Sequence, residues 1–393
     1  MSESRLHELL ADLVADVDSP PMTQRAWRAG RRSRRQRIAV TGAVGAVLLV
    51  GAGVAVVERG LTAGLAPAGP TAATTSAPPP PAFADPRVEV GPLRAAVGGL
   101  PAMSVQVSAL SRIPSSAQAL SGNPMSKIVA AAQPANRPVL ALGNDGAWRE
   151  VDGVPATPPL SLTSASISPD ARRLALLRGD GLLLVDATTG DCRTLSVPAT
   201  FGRIDELTWM PDGESVAVSG DSGSGVVSTI DGSYRPTGAR PGLAVGGPGD
   251  PVVQLTKSEL VQDAGAGERQ AYKTGDKIAL SDWYGPGWVN NSVVASTWFL
   301  GDAEQAVVLI SATTAQVTHV LTLPTGAAPA VRSNGCCTTL GWLDDQTVLL
   351  RDGGQVLAWR FTTGTVSRVA QLPGTATRGA DPAYDTVIAT AQP

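Results

Sequence analysis

The sequence predicts a membrane-anchored all-β protein, in which one transmembrane helix carries a β-propeller of six blades, with seven as the close alternative. Three observations lead there. Residues 38–57, IAVTGAVGAVLLVGAGVAVV, run for twenty residues without a charge, directly after a stretch from Arg25 to Arg37 that holds seven arginines. From residue 126 onward, units of short apolar segments separated by turn residues recur about every 35–45 residues, the signature of a repeat architecture. Ahead of both, residues 3–18 space their apolar side chains by three and four, as a helix with one greasy stripe does.

In that first helix Leu6, Leu9, Leu10, Leu13, Val14 and Val17 share the stripe, and Glu3, Glu8, Asp12 and Asp16 occupy the other face. Ser2 or Ser4 is placed to cap its start and Pro20-Pro21 ends it. A helix this short is marginal alone in water, so the stripe is expected to be stabilised by a partner protein. Lying on a membrane suits it less, because its acidic face is repelled by anionic headgroups.

Twenty apolar residues span the ~30 Å hydrocarbon layer as a helix that satisfies its own backbone hydrogen bonds. Arginines on one side only orient it, leaving residues 1–37 in the cytoplasm and the C-terminal domain outside. A cleaved signal fits less well, since 37 residues precede the apolar run and Pro67 follows the best cleavage site, Ala63 to Ala66. The arginine stretch is read as setting topology and touching lipid; no nucleic-acid partner is expected.

Residues 58–85 form a spacer. Gly60 to Ala84 holds six prolines among alanines and threonines, a composition that buries too little apolar surface to fold and favours polyproline extension. The outer domain, 86–393, follows. Its clearest unit, from Ala165 to Leu195, reads as an apolar strand, the turn Ser168-Pro-Asp170, the strand Arg173–Arg178, a second turn, the strand Leu182–Asp186, a Thr-Thr-Gly turn and the strand Cys192–Leu195. Trp209-Met-Pro211-Asp212-Gly213 repeats its opening, and Ser311-Ala-Thr-Thr-Ala315 repeats its Asp186-Ala-Thr-Thr-Gly190 turn. Units are expected at 126–152, 160–197, 204–236, 242–277, 279–323 and 338–372, with Tyr384–Ala389 joining the first unit to close the ring. Residues 86–125 are expected either as an extra blade or as a segment crossing one face. Small four-stranded sheets cannot each bury two faces alone, but packed radially they can.

This pattern of apolar strand, Pro-Asp-Gly, strand, turn, strand, Thr-Gly turn and strand resembles WD-repeat and TolB-like β-propellers of the bacterial cell envelope, over roughly residues 126–390. It lacks the Gly-His and Trp-Asp pairs of eukaryotic WD repeats, so the TolB-like likeness is the better one. The resemblance implies a fold and is nearly silent on activity. The layout of tail, arginine stretch, span and outer domain also resembles membrane-bound anti-sigma factors, which implies a sigma factor as the cytoplasmic partner. The His-x3-Cys-x2-Cys signature of many such proteins is missing.

Chemistry is thinly supplied. The chain has two histidines and three cysteines. Gly220-Asp-Ser-Gly-Ser-Gly225 looks like a serine-protease nucleophile turn, yet that chemistry needs a histidine base, and His7 lies across the membrane while His319 follows the serine. Asp170, Asp212, Asp344 and Asp345 fall in turns, where aspartate bonds its own backbone. No catalytic residue, cofactor or metal is assigned. Outside the cytoplasm Cys192 is expected to bridge to Cys336 or Cys337, with a bridge between the two neighbours as the rarer alternative. Trp209, Trp288 and Trp342 occupy equivalent places and are expected between blades, whereas Trp283, Tyr284 and Trp298 cluster as a candidate recognition surface. The expectation is a non-catalytic envelope protein that binds or senses an envelope ligand or protein; the alternative is an anchored propeller enzyme of glycosidase or lyase type.

Overall fold

The structure, a computed structural model, describes residues 85–92, 94–135, 137–152, 160–179, 181–198, 201–220, 223–237, 243–247, 249–262, 269–275, 278–300, 304–323, 337–373 and 386–393. The tail helix, the arginine stretch, the apolar span and nearly all of the spacer lie outside these residues. Among the described residues no helix is long and apolar enough to cross a membrane.

Among the described residues the regular elements are strands, apart from two 3-10 turns. The described chain opens with β1 (Arg87–Val90), the two 3-10 turns (Arg94–Gly99 and Gln106–Arg112) and β2 (Gln118–Ala119). The first sheet then adds β3 (Ile128–Gln133), β4 (Leu140–Gly143) and β5 (Trp148–Glu150). Two four-stranded antiparallel sheets follow: β6 (Leu160–Ser161), β7 (Arg173–Arg178), β8 (Gly181–Asp186), β9 (Cys192–Ser196); then β10 (Ile204–Trp209), β11 (Ser215–Gly220), β12 (Gly223–Ser228), β13 (Tyr234–Thr237). Next come β14 (Leu243–Val245), β15 (Val253–Leu255), β16 (Glu259–Gln262), β17 (Arg269–Ala271) and β18 (Leu280–Asn290), β19 (Val293–Leu300), β20 (Glu304–Ser311), β21 (Val317–Thr322). A short parallel contact between β14 and β18 joins these eight strands, and β1 alongside β21 makes nine. The last sheet is β22 (Thr338–Asp344), β23 (Thr347–Asp352), β24 (Gln355–Arg360), β25 (Thr365–Gln371). Finally β26 (Val387–Thr390) returns to pair antiparallel with β3, so the end of the chain completes the first sheet.

Why the strands read as unbroken apolar runs is visible in β8. Leu183 and Val185 pack into a core shared with Ile128 and Val139 of the first sheet region, while Leu182 and Leu184 pack into one shared with Leu207, Trp209 and Val216 of the third. Alternate side chains point to opposite faces, and here both faces are covered. In β20, Val308 and Ile310 join Val253 and Leu260, whereas Val307 and Leu309 join Val348 and Leu357. In β24, Leu357 and Trp359 face that same core, and Val356 and Ala358 share another with Ala130, Ala132 and Ile388. The last sheet is thereby packed on the first, which gives the fold its propeller-like arrangement.

The repeated turns share one geometry. Gly190, Gly232, Ala315 and Gly364 have φ of 79°, 74°, 54° and 75°, and the amide of each donates to the carbonyl four residues back, at 2.8–3.0 Å. A left-handed residue there is what bends the chain back into its next strand, which explains the Thr-Gly recurrence.

Within residues 86–125, expected as an extra blade or a segment crossing one face, two short strands add to sheet edges, and the turn Gln106–Arg112 buries Val107 and Leu110 in the core shared by the first and last sheets. β1 lies parallel on β21, Ala102 bridges Arg368 of β25, and β2 lies parallel on β5. Edge strands expose unpaired backbone groups, and this segment satisfies those of three sheets in turn.

Candidate functional site: the axis and its rim

The first strands of successive units converge on a cavity lined by Ala165, Ile167, Pro169, Trp209, Val245, Gly246, Trp288 and Gln392. Its volume is about 10 Å³, roughly the room for one water. The indoles close it. Trp209 Nε1 donates to the Ser166 carbonyl at 2.9 Å, Trp288 Nε1 to Thr339 and Trp342 Nε1 to Trp288, both at 3.1 Å. Trp288 and Trp342 thereby tie β18 and β22 to each other, and Trp209 ties β10 to the segment ahead of β7, each ring at 1–4 % exposure. Gln392 reaches in from beyond β26, and its Oε1 accepts the Trp342 amide at 3.0 Å. Gly341 lies beneath it with φ 145°, a backbone conformation that residues with a side chain rarely adopt. Among the described residues no carboxylate lines this cavity.

The turn aspartates bind their own loops. Asp170 Oδ1 accepts from the Ser168 hydroxyl and the Arg172 amide, Asp212 Oδ1 from the Glu214 amide and Asp344 Oδ1 from the Gln346 amide. Asp345 accepts from the Asn290 side chain. Gly220 and Gly223 pair across the hairpin where the protease-like turn lies, so that motif is a strand connection. Among the described residues no three His, Cys, Asp or Glu side chains are placed to hold a metal.

A second neighbourhood combines charges at the outer rim. Glu89 of β1, 10 % exposed in its side chain, accepts a 2.6 Å bond from Trp359 Nε1 in β24. Its other oxygen lies 2.9 Å from Arg87 Nε, an ion pair without the alignment of a hydrogen bond. Arg87 is paired in register with His319 of β21 and donates to the Thr362 carbonyl at 3.1 Å. The His319 ring meets Phe361 edge-on at 5.0 Å. Burial holds the His319 pKa below its ordinary value; the nearby Glu89 charge opposes that and Arg87 adds to it. Sequence reading missed this group because its members lie far apart in the chain. The one local signal was RVEV, a glutamate between two valines in a strand.

The remaining candidates are dispersed. Trp298 cannot form part of a recognition surface: it is fully buried, bonded through Nε1 to Ser296 and packed edge-on against Tyr272 at 5.1 Å. Trp283 pairs across the strand with Trp298 and is half-buried against the same core. Tyr284 belongs to β18 and pairs with Thr297, its side chain being outside the described residues. The Cys192 bridge is corrected as well. Cys192 is a free thiol and Cys337 is disulfide-bonded, while Cys336 lies outside the described residues. Burial, Asp152 and Asp191 all raise the Cys192 pKa.

No family model and no curated protein matches the sequence. Among solved structures the chain is similar to an oligogalacturonate lyase in complex with manganese (TM-score 0.44, 14 % identity, 62 % of this chain and 73 % of that one). It is also similar to a puromycin hydrolase (0.36, 16 %, 67 % and 48 %) and to a chain of a nidogen/laminin complex (0.43, 9 %, 67 % and 99 %). The set includes a lyase and a hydrolase, so the expectation of a non-catalytic protein finds no support in it and is not carried forward. At these identities the likeness concerns backbone course alone.

Proposed function

We propose that the described sheets form a six-bladed β-propeller, the nine-stranded sheet counting as two blades, and that the chain displays this propeller outside a cell membrane to bind an envelope ligand or protein. In this reading residues 38–57 anchor the protein, residues 58–85 hold the propeller off the bilayer, and the Leu6–Val17 stripe engages a cytoplasmic regulatory protein. A single observation supports it most. The first described strand, β1, lies on the outer strand β21, Ala102 bridges Arg368 of β25, and β2 lies on β5, so the described chain joins these sheets at their edges. An edge attachment leaves the loop faces, where propellers place their recognition surfaces, free for a ligand.

The experiment is co-purification from membranes of the full chain and of a chain lacking residues 1–24. Loss of a cytoplasmic partner on truncation, with envelope binding retained, supports the reading; an unchanged set of partners overturns the role of the tail. A second reading, an envelope enzyme of glycosidase or lyase type, draws on the rim group, where a histidine whose pKa is lowered by burial stands beside a cation and a carboxylate. Its test is release of reducing ends or unsaturated products from envelope polysaccharides, compared between the natural chain and His319→Ala.

A further inference from the structure

Strand β1 is attached with little apolar burial. Val88 and Val90 face solvent at 47 % and 73 % exposure, and among the described residues the hydrophobic cores include none from β1, whereas Val320 and Leu321 of β21 are fully buried in two of them. What holds β1 is its parallel ladder to β21, continued by the Gly91 amide on the Thr322 carbonyl at 2.8 Å, and two side chains that reach the next sheet. Arg87 donates to the Thr362 carbonyl at 3.1 Å, and Glu89 accepts from the Trp359 indole at 2.6 Å.

These polar contacts surround one titratable group. His319 stands opposite Arg87 in the register, so the two side chains emerge on the same face, and Glu89 follows on that face two residues along. The other contacts of the imidazole are uncharged: the Phe361 ring edge-on at 5.0 Å, the Thr318 hydroxyl 3.1 Å from Nδ1, and Leu309 of β20 opposite it in register. Arg360, next to Phe361 in the chain, pairs with Asp344 at 3.8 Å. A proton on His319 therefore adds a second cation beside Arg87 in a half-buried place, where the anion that acts on it, Glu89, is already shared between Arg87 and Trp359.

We propose that this cluster is an acid-operated clasp: protonation of His319 detaches β1 from β21 and from the facing sheet, while the sheets themselves stay folded. Burial lowers the His319 pKa in the attached strand, against the opposing Glu89 charge and with a further push from Arg87. The detached state accordingly binds the proton more tightly, so attachment is complete above about pH 6.5 and weakens as pH falls below that toward the lower attached value. Detachment withdraws Glu89 from the fully buried Trp359 and opens the seam between two sheets, which gives the domain an apolar surface in acid that it lacks at neutral pH.

The test is hydrogen exchange on the full chain at about pH 7.5 and about pH 5.5, corrected for the intrinsic pH dependence of exchange, followed on residues 86–92 and on β8 as the reference. Protection of 86–92 is expected to fall by roughly tenfold at the lower pH, the factor that one unit of pKa difference carries, while β8 keeps its protection. In His319→Gln, which takes up no proton, protection of 86–92 is expected to be equal at the two pH values; His319→Leu serves if that variant fails to fold. Three results overturn the proposal: equal protection at both pH values in the natural chain, a fall that persists undiminished in the His319 variant, or a simultaneous loss in 86–92 and β8, which is unfolding of the whole domain.

Discussion

Gly190 and Gly146 share a backbone conformation, φ of 79° in each, but not a neighbourhood. A Cβ on Gly190 would lie 2.5 Å from Ser121 Cα and 2.9 Å from the Leu120 carbonyl oxygen, both backbone atoms of the segment entering the first sheet. A Cβ on Gly146 would meet nothing within 4 Å. Alanine at either position incurs the left-handed penalty of about 1–2 kcal/mol, partly offset by about 0.4–1 kcal/mol from a less flexible unfolded chain. Only Gly190→Ala must also push apart two backbone segments, which costs about 1–3 kcal/mol more. Gly190→Ala should therefore unfold at a lower temperature than Gly146→Ala by roughly 2–10 °C, read by circular dichroism or calorimetry on the full chain. Equal losses would refute the contact between the Asp186–Gly190 turn and residues 120–121, and with it the packing of the second sheet against the first.

Three further outcomes follow from single sites. The buried Thr297 hydroxyl donates to the Cys337 carbonyl at 2.5 Å and accepts from the Thr339 amide at 3.1 Å, so Thr297→Val should cost about 2–4 kcal/mol in denaturant unfolding and Thr297→Ser far less. For His319, a pKa lowered by folding means that the unfolded chain binds the proton more tightly. Stability should be full above about pH 6.5 and fall as pH drops below it toward the lower folded value, and His319→Gln should flatten that part of a pH series of unfolding midpoints. Cys192 should react with iodoacetamide near neutral pH more slowly than a free cysteine, with mass mapping of the adduct as the measure, because burial and two flanking carboxylates disfavour its thiolate.

Much of the β domain was legible because each structural step has a local cause. The expected unit at 160–197 is the sheet from Leu160 to Ser196, and the strand foreseen at Tyr384–Ala389 pairs as Val387–Thr390 with β3. Turn residues recur where the left-handed position recurs, and apolar runs appear where both faces of a sheet are covered. Trp209, Trp288 and Trp342 were legible as equivalent places because each opens its unit. Trp298 was misjudged because aromatics near in sequence suggest a patch, whereas the strand alternation turns Trp298 to the core beneath β20. The cysteine pairing was misjudged too, since the spacing of thiols in a repeat protein says little about which sheets are neighbours.

By itself the sequence determined the strand content, the repeat, the turn chemistry and the closing strand, for these depend on side-chain alternation and backbone preference within a few residues. It also carries the whole argument for the anchor and the tail. Only the tertiary structure decided that β1 and β2 add to the edges of distant sheets, that Trp209 and Trp288 line the cavity with no carboxylate among the described lining residues, and that Glu89, His319 and Trp359 meet. Those outcomes depend on which distant segments come to lie side by side, and a strand's sequence specifies which of its faces is apolar without naming the partner that covers it.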